Sequence, residues 1–113
     1  MESVFKALAD GNRRRMLDLL FEQDGQTVTE LARHVTFSRQ ALSKHLRILE
    51  DASLIVTAFR GREKQHFLNP IPIQEIADRW LAKYRDVQLG AVTALKRSLE
   101  TGRDADANTE EGT

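Results

Sequence analysis

The stretch Ser38-Arg39-Gln40-Ala41-Leu42-Ser43-Lys44-His45-Leu46-Arg47-Ile48-Leu49-Glu50 holds the residues with the clearest chemistry. On a helical wheel at ~100° per residue, Gln40, Lys44 and Arg47 fall on one side with Ser43 at its edge. Leu42, His45, Leu46 and Leu49 fall together opposite and face a core. The outward types are those that handle nucleic acid: Arg pairs with guanine through two donors, Gln pairs with adenine, and Lys and Ser take phosphate oxygens or base-edge acceptors. Arg39 sits in the first turn, where its side chain projects from the helix tip, and Ser38 is a helix-capping type. An α-helix fits the major groove of B-DNA and not the narrower minor groove. A second basic cluster, Arg60, Arg62 and Lys64, surrounds Gly61 at the tip of an expected hairpin, placed to touch DNA backbone or minor groove beside such a helix. Each cluster also has a plainer reading: an amphipathic helix with a solvated basic face, and charge that protects an exposed strand edge.

No other residues assemble a reaction centre. Ser43 and His45 are two apart on one helix, so their side chains diverge and cannot share a proton. Glu50-Asp51 is a carboxylate pair by position only. The sequence has no glycine-rich phosphate loop and no His-Glu-x-x-His. With no cysteine there is no disulfide framework, thiolate metal site or cysteine nucleophile. The three histidines, His34, His45 and His66, are dispersed over separate elements and define no transition-metal site. No enzyme activity, metal or cofactor is expected.

The elements that must position these clusters are legible from spacing. Val4, Phe5 and Leu8 make a short amphipathic turn ending near Asp10-Gly11. Asp10 or Asn12 caps a helix that turns Met16, Leu17 and Leu20 inward. After the break at Asp24-Gly25, Thr27-Val28-Thr29-Glu30 matches the capping box of a helix with Leu31, Ala32 and Val35 on its apolar face. Ser38 opens the next helix, to about Ala52. Ile55, Val56, Thr57 and Phe59 are strand formers, Arg60-Gly61-Arg62 is a turn, and Gln65 to Leu68 is the return strand. Pro70 and Pro72 punctuate, and a helix of about 28 residues is expected to Glu100. The fold class is mainly α with a small β-hairpin: a winged helix-turn-helix with a long C-terminal helix.

The chain has 113 residues, 41% hydrophobic and 30% charged, with a net charge of zero. The zero conceals a division: residues 1–100 carry 16 Lys/Arg against 13 Asp/Glu, and residues 101–113 carry one against four. Arg33 to Leu49 holds four Lys/Arg, two His and no acid. Residues 1–100 thus read as one mildly basic domain with an anionic partner, and residues 101–113 as an acidic disordered tail with nothing large to bury. No apolar run reaches the ~18 residues of a membrane span. Met1-Glu2-Ser3 leads into no signal-like apolar stretch, so a cytoplasmic protein without membrane contact is expected.

From Val4 to Glu100 the sequence resembles the ArsR-type, or arsenical-repressor-like, winged-helix transcriptional regulators. The resemblance is carried by Phe5-Lys6-Ala7-Leu8-Ala9-Asp10, Arg13-Arg14-Arg15-Met16-Leu17, Thr29-Glu30-Leu31-Ala32, the stretch from Ser38 to Glu50, Gly61-Arg62 and Trp80-Leu81. It implies a dimeric repressor that binds an operator, commonly its own promoter, and leaves when a signal arrives. Members that sense soft metals have a Cys-x-Cys where this chain has Ala32 and His34. Another class uses Asp and His on the C-terminal helix, and Pro72 to Glu100 contains no histidine. The chain therefore resembles a cysteine-free subgroup without those metal motifs, and its small-molecule effector is unknown.

On the wheel of the last helix, centred on Tyr84, Ile76, Trp80, Val87, Ala91 and Leu95 fall within one apolar stripe, with Leu89 as the outlier. Such a helix would span ~42 Å, more than one small domain can cover. A homodimer is expected, with Val4, Phe5 and Leu8 adding to the interface and two recognition helices presented to a pseudo-palindromic site. The reading is a homodimeric repressor of its own or a neighbouring operon. The alternatives are a winged-helix protein–protein module and a metal-responsive repressor with an unrecognised site. Arg13, Arg14 and Arg15 read equally as local ion pairs, such as Arg14 with Asp18, or as contacts to flanking phosphate.

Overall fold

The computed structural model describes residues 1–85 and 87–106, without the side chains of residues 87–89 and 103–106. The elements are α1 (Glu2–Leu8), α2 (Gly11–Glu22), α3 (Val28–Ala32), α4 (Arg39–Asp51), β1 (Ile55–Arg60), β2 (Glu63–Leu68), α5 (Ile71–Tyr84) and α6 (Val87–Asp106). The chain divides into two units, Met1–Glu75 and the residues from Ile76 on.

The first unit is built as its local chemistry dictates. Asp10 caps α2, accepting from the backbone N–H groups of Asn12 at 2.8 Å and Arg13 at 3.1 Å. Thr27 and Glu30 close a reciprocal capping box at the start of α3. The Ser38 hydroxyl accepts from Ala41 N–H at 3.1 Å and starts α4. Its end is a Schellman turn: Ser53 N–H donates to the Glu50 carbonyl and Leu54 N–H to that of Leu49, both at 2.9 Å. Ser53 takes the left-handed backbone conformation (φ 61°) that glycine usually occupies there. The core gathers Met16, Leu17, Leu20, Leu31, Leu42 and Leu49 beneath the helix pair, closed by Leu54 and Ile55 where the chain enters the hairpin.

Strands β1 and β2 pair antiparallel from Ile55↔Leu68 to Arg60↔Glu63. The connecting turn is Gly61-Arg62, and the positive φ of Gly61 (66°) is the conformation a tight hairpin asks of its first central residue. An isolated bridge pairs Gln26 with His66, holding the α2–α3 connection against the hairpin. Both residues are buried and both are satisfied. The Gln26 amide donates to the carbonyls of Leu19 (3.0 Å) and Gln23 (2.8 Å). The His66 Nδ1 lies 2.9 Å from the Gln26 carbonyl; a carbonyl only accepts, so Nδ1 carries the proton.

Three expectations are corrected. The single C-terminal helix is two: α5 stops at Tyr84 and α6 starts at Val87, so the expected stripe falls on two helices. The sequence does signal this, since Asp86, a type favoured before a first helical turn, directly precedes α6. Secondly, α6 continues to Asp106, so the first residues of the expected disordered tail are helical; residues 107–113 lie outside the described residues. Thirdly, Val4 belongs to the core of its own subunit at 7% exposure, leaving Phe5 and Leu8 as the more open residues of α1.

Candidate nucleic-acid interface

The capping chemistry at Thr27 and Ser38 fixes where α3 and α4 begin, and with it which side chains of α4 face outward. Leu42, Leu46 and Leu49 are buried. Arg39, Gln40, Ser43, Lys44 and Arg47 are exposed. His45, half-buried on the inner side, meets Phe37 edge-on at 5.3 Å between ring centroids. The outward Ser43 and inward His45 diverge, as two-residue spacing on a helix requires.

Gln40, Ser43, Lys44 and Arg47 line one open groove together with Glu50 of α4 and Lys64 and His66 of β2. A second groove is lined by Thr29 and Arg33 beside α3, Arg39 of α4, and Arg62 and Lys64 of the hairpin. Lys64 borders both. The structure therefore brings the two basic clusters together along the α4–hairpin edge. Arg60 is exposed at the end of β1 and lines neither groove.

Ser38 carries the cap expected of it, while Arg39 and Lys64 have commitments that spacing could not reveal. The Ser38 oxygen caps α4 by accepting from Ala41 N–H, and its O–H can still donate outward. Arg39 donates to the Thr29 hydroxyl at 2.7 Å, bracing the two helices of the pair. Lys64 Nζ lies 3.8 Å from Glu50 Oε1, while Thr57 donates to Glu50 Oε2 at 2.8 Å. Glu50 thus holds both strands of the hairpin to the end of α4. Sequence reading missed Thr29, Arg33, Glu50 and Thr57; only Arg33 carried a signal, as the first cation of the acid-free stretch.

The arginine run resolves in part. Arg13 donates through Nε to the Ala7 carbonyl (2.8 Å) and through a terminal nitrogen to the Lys6 carbonyl (2.9 Å). Arg14 donates to the Leu8 carbonyl at 2.7 Å. These guanidinium groups satisfy the last carbonyls of α1, where positive charge also suits the helix dipole, and Arg13 sits 3.8 Å from Asp10. Arg15 is exposed.

Two carboxylates feel the caps. Hydrogen bonding from the Arg13 backbone N–H, aided by that of Asn12, holds Asp10 below its ordinary value. The backbone N–H and then the hydroxyl of Thr27 do the same for Glu30. Among the described residues no three His, Cys, Asp or Glu side chains group closely enough to hold a metal ion. No described helix is long and apolar enough to cross a membrane.

In the second unit, no residue of α5 is buried. Trp80 (45% exposed), Leu81 and Tyr84 present a broad apolar surface, with the Trp80 and Tyr84 rings stacked at 5.8 Å and Lys83 Nζ 5.6 Å from the Trp80 ring. Ile76 is half-buried, Ala91 and Leu95 are exposed, and the Val87 side chain lies outside the described residues.

Comparison with known proteins agrees with this geometry. The helix-turn-helix domain family matches residues 8–58. The HTH-type transcriptional regulator YuzN of Bacillus subtilis is 36% identical over 86 residues, covering 71% of this chain and 94% of its own. The transcriptional repressor SdpR of the same organism is 34% identical over 84 residues, covering 74% of this chain and 91% of its own. Among solved structures, an ArsR-like transcriptional regulator from Rhodococcus sp. RHA1 superposes with a TM-score of 0.70 at 31% identity, over 88% of this chain and 90% of that one. The chain belongs to the ArsR-type winged helix-turn-helix transcriptional regulators, and is a DNA-binding protein rather than an enzyme.

Proposed function

We propose that the protein is a cytoplasmic, homodimeric, sequence-specific repressor, with α4 reading base edges in the major groove and the hairpin acting as a wing. The observation that carries this reading is the groove in which Gln40, Ser43, Lys44 and Arg47 converge with Lys64. It joins base-reading and phosphate-holding types on one face. Gln40 and Arg47 read bases; Ser38, Arg39, Ser43, Lys44, Arg60, Arg62 and Lys64 hold backbone and orientation. The partner is a pseudo-palindromic duplex, because two-fold symmetric chains present two copies of α4.

The dimer is supported by the open apolar side chains of Trp80, Tyr84 and Leu95 in the second unit and by that of Phe5 in the first; Leu8, Ile76, Val87 and Ala91 are further interface positions of the proposal. Repression is supported by the similarity to SdpR, which is named a transcriptional repressor.

Sedimentation of the full chain tests the assembly, alone and on a duplex enriched from a random library by the protein itself. Two chains per particle, and two per duplex, are expected. Replacing Trp80 and Leu95 together with Glu should give monomers and cost the linkage of half-sites, typically 10²–10⁴-fold in affinity. A full chain that remains monomeric at micromolar concentration contradicts the dimer.

A further inference from the structure

We propose that Phe59 is an apolar DNA contact of the wing, a wedge that enters the minor groove beside the half-site read by α4. The inference rests on the DNA-reading function above and adds a residue and a mode of specificity to it.

Side chains alternate along a strand, so Ile55, Thr57 and Phe59 share one face of β1. That face looks toward α4. Ile55 is buried at 1% exposure, and Thr57 hydrogen-bonds Glu50 of α4 at 2.8 Å. Phe59, one step further along, is 72% exposed, so the core makes little use of the ring. Directly across from it in the register stands Lys64, which borders both basic grooves.

An exposed ring at the end of a two-stranded hairpin is an association hazard that fold stability does not require. Its surroundings name its occupant. From Arg60 to Lys64 the tip carries three cations and one acid, the wrong complement for an apolar or basic protein surface. A DNA minor groove supplies what both chemistries need: two rows of phosphate for the cations, and between them sugar and base-step surface for a ring. Phe is among the side chains that wedge into base steps there. Lys64 is ion-paired with Glu50 at 3.8 Å, so its charge is partly met within the protein and an uncharged contact at its side gains weight. A wedge favours flexible pyrimidine–purine steps, which are easily unstacked. Phe59 would therefore impose a preference for TA or CA/TG steps at positions that α4 never touches.

The test uses the full chain as wild type, Phe59→Ala, Phe59→Leu and Arg62→Ala. Each protein enriches duplexes from a random library, and affinity for the wild-type-selected duplex is measured across a salt series. Phe59→Ala should lose about tenfold in affinity with an unchanged salt slope, since an apolar contact releases no counterions. It should also lose the flanking-step preference. Phe59→Leu should keep most of both, which guards against a folding defect in the smaller variant. Arg62→Ala should lower the slope by about two, one phosphate contact from each subunit, and leave the flanks intact. Wild type and Phe59→Ala with the same affinity and the same flanking profile would overturn the inference alone. No enrichment by the wild-type chain would overturn the DNA-reading function together with it.

Discussion

Glu50 at the end of α4 and Lys64 on the return strand of the hairpin form an ion pair at 3.8 Å, and the second oxygen of the same carboxylate accepts from Thr57. One side chain thus ties both strands of the hairpin to the end of α4, and shares the Lys64 charge that the proposed DNA contact would use.

Glu50→Gln keeps an acceptor for Thr57 and removes the ion pair. Lys64 then becomes free for phosphate. Affinity for random duplex should rise, the salt slope should steepen by about two, one contact from each subunit, and the ratio of selected to random affinity should fall. An unchanged slope would show that Lys64 is not held back from DNA by Glu50.

Gln40→Ala and Arg47→Ala should each cost ~1–3 kcal/mol on the selected duplex and little on random DNA, because each removes a base-edge contact. Arg62→Ala should weaken both duplexes nearly equally. Matched losses on the two duplexes for Gln40 and Arg47 would remove them from base readout.

Arg13→Ala should lower folding stability by about 1–3 kcal/mol, the usual worth of a charge-assisted hydrogen bond at a partly buried position, because the Ala7 carbonyl loses its guanidinium donor while the Lys6 carbonyl keeps only the Ala9 N–H. Arg15→Ala, at an exposed position, should change stability by less than about 0.5 kcal/mol. Urea midpoints at matched pH decide this; equal effects at the two sites would mean that the α1 end is satisfied without Arg13.

Asp10 and Glu30 are both held below their ordinary values of 3.8 and 4.5. Their ionised forms belong to the folded state, which binds fewer protons than the unfolded chain near those values. The stability they contribute is present above the unfolded pKa and is lost as pH falls through the lower folded one. Urea midpoints should fall between about pH 6 and about pH 3, and fall less steeply in the Asp10→Asn, Glu30→Gln double variant. Parallel curves would remove the two caps from the acid response.

Short-range chemistry was the legible part of the sequence. The caps at Asp10, Thr27 and Ser38, the outward face of α4 and the hairpin about Gly61 all depend on residues within a few positions of one another. Long-range commitments were not. That Lys64 answers to Glu50, Arg39 to Thr29, and Gln26 to His66 depends on how elements meet, which periodicity does not encode. The C-terminal helix shows a different loss: apolar spacing ran smoothly through Arg85-Asp86, so the wheel joined α5 and α6 into one rod and masked the cap-type residue between them. Val4 reads as a dimer-interface residue because α1 is too short for a wheel to separate core from surface.

The most direct test of the account is an anisotropy titration of the full chain on its selected duplex and on a scrambled duplex of equal length, at salt from about 50 to about 200 mM. Saturable binding at two chains per selected duplex is expected, at least ~10³-fold tighter than on the scrambled one. A log–log salt slope near −5 to −7 is expected from the phosphate-facing cations of two subunits. Equal affinity for both duplexes, or no binding at the lowest salt, would contradict it.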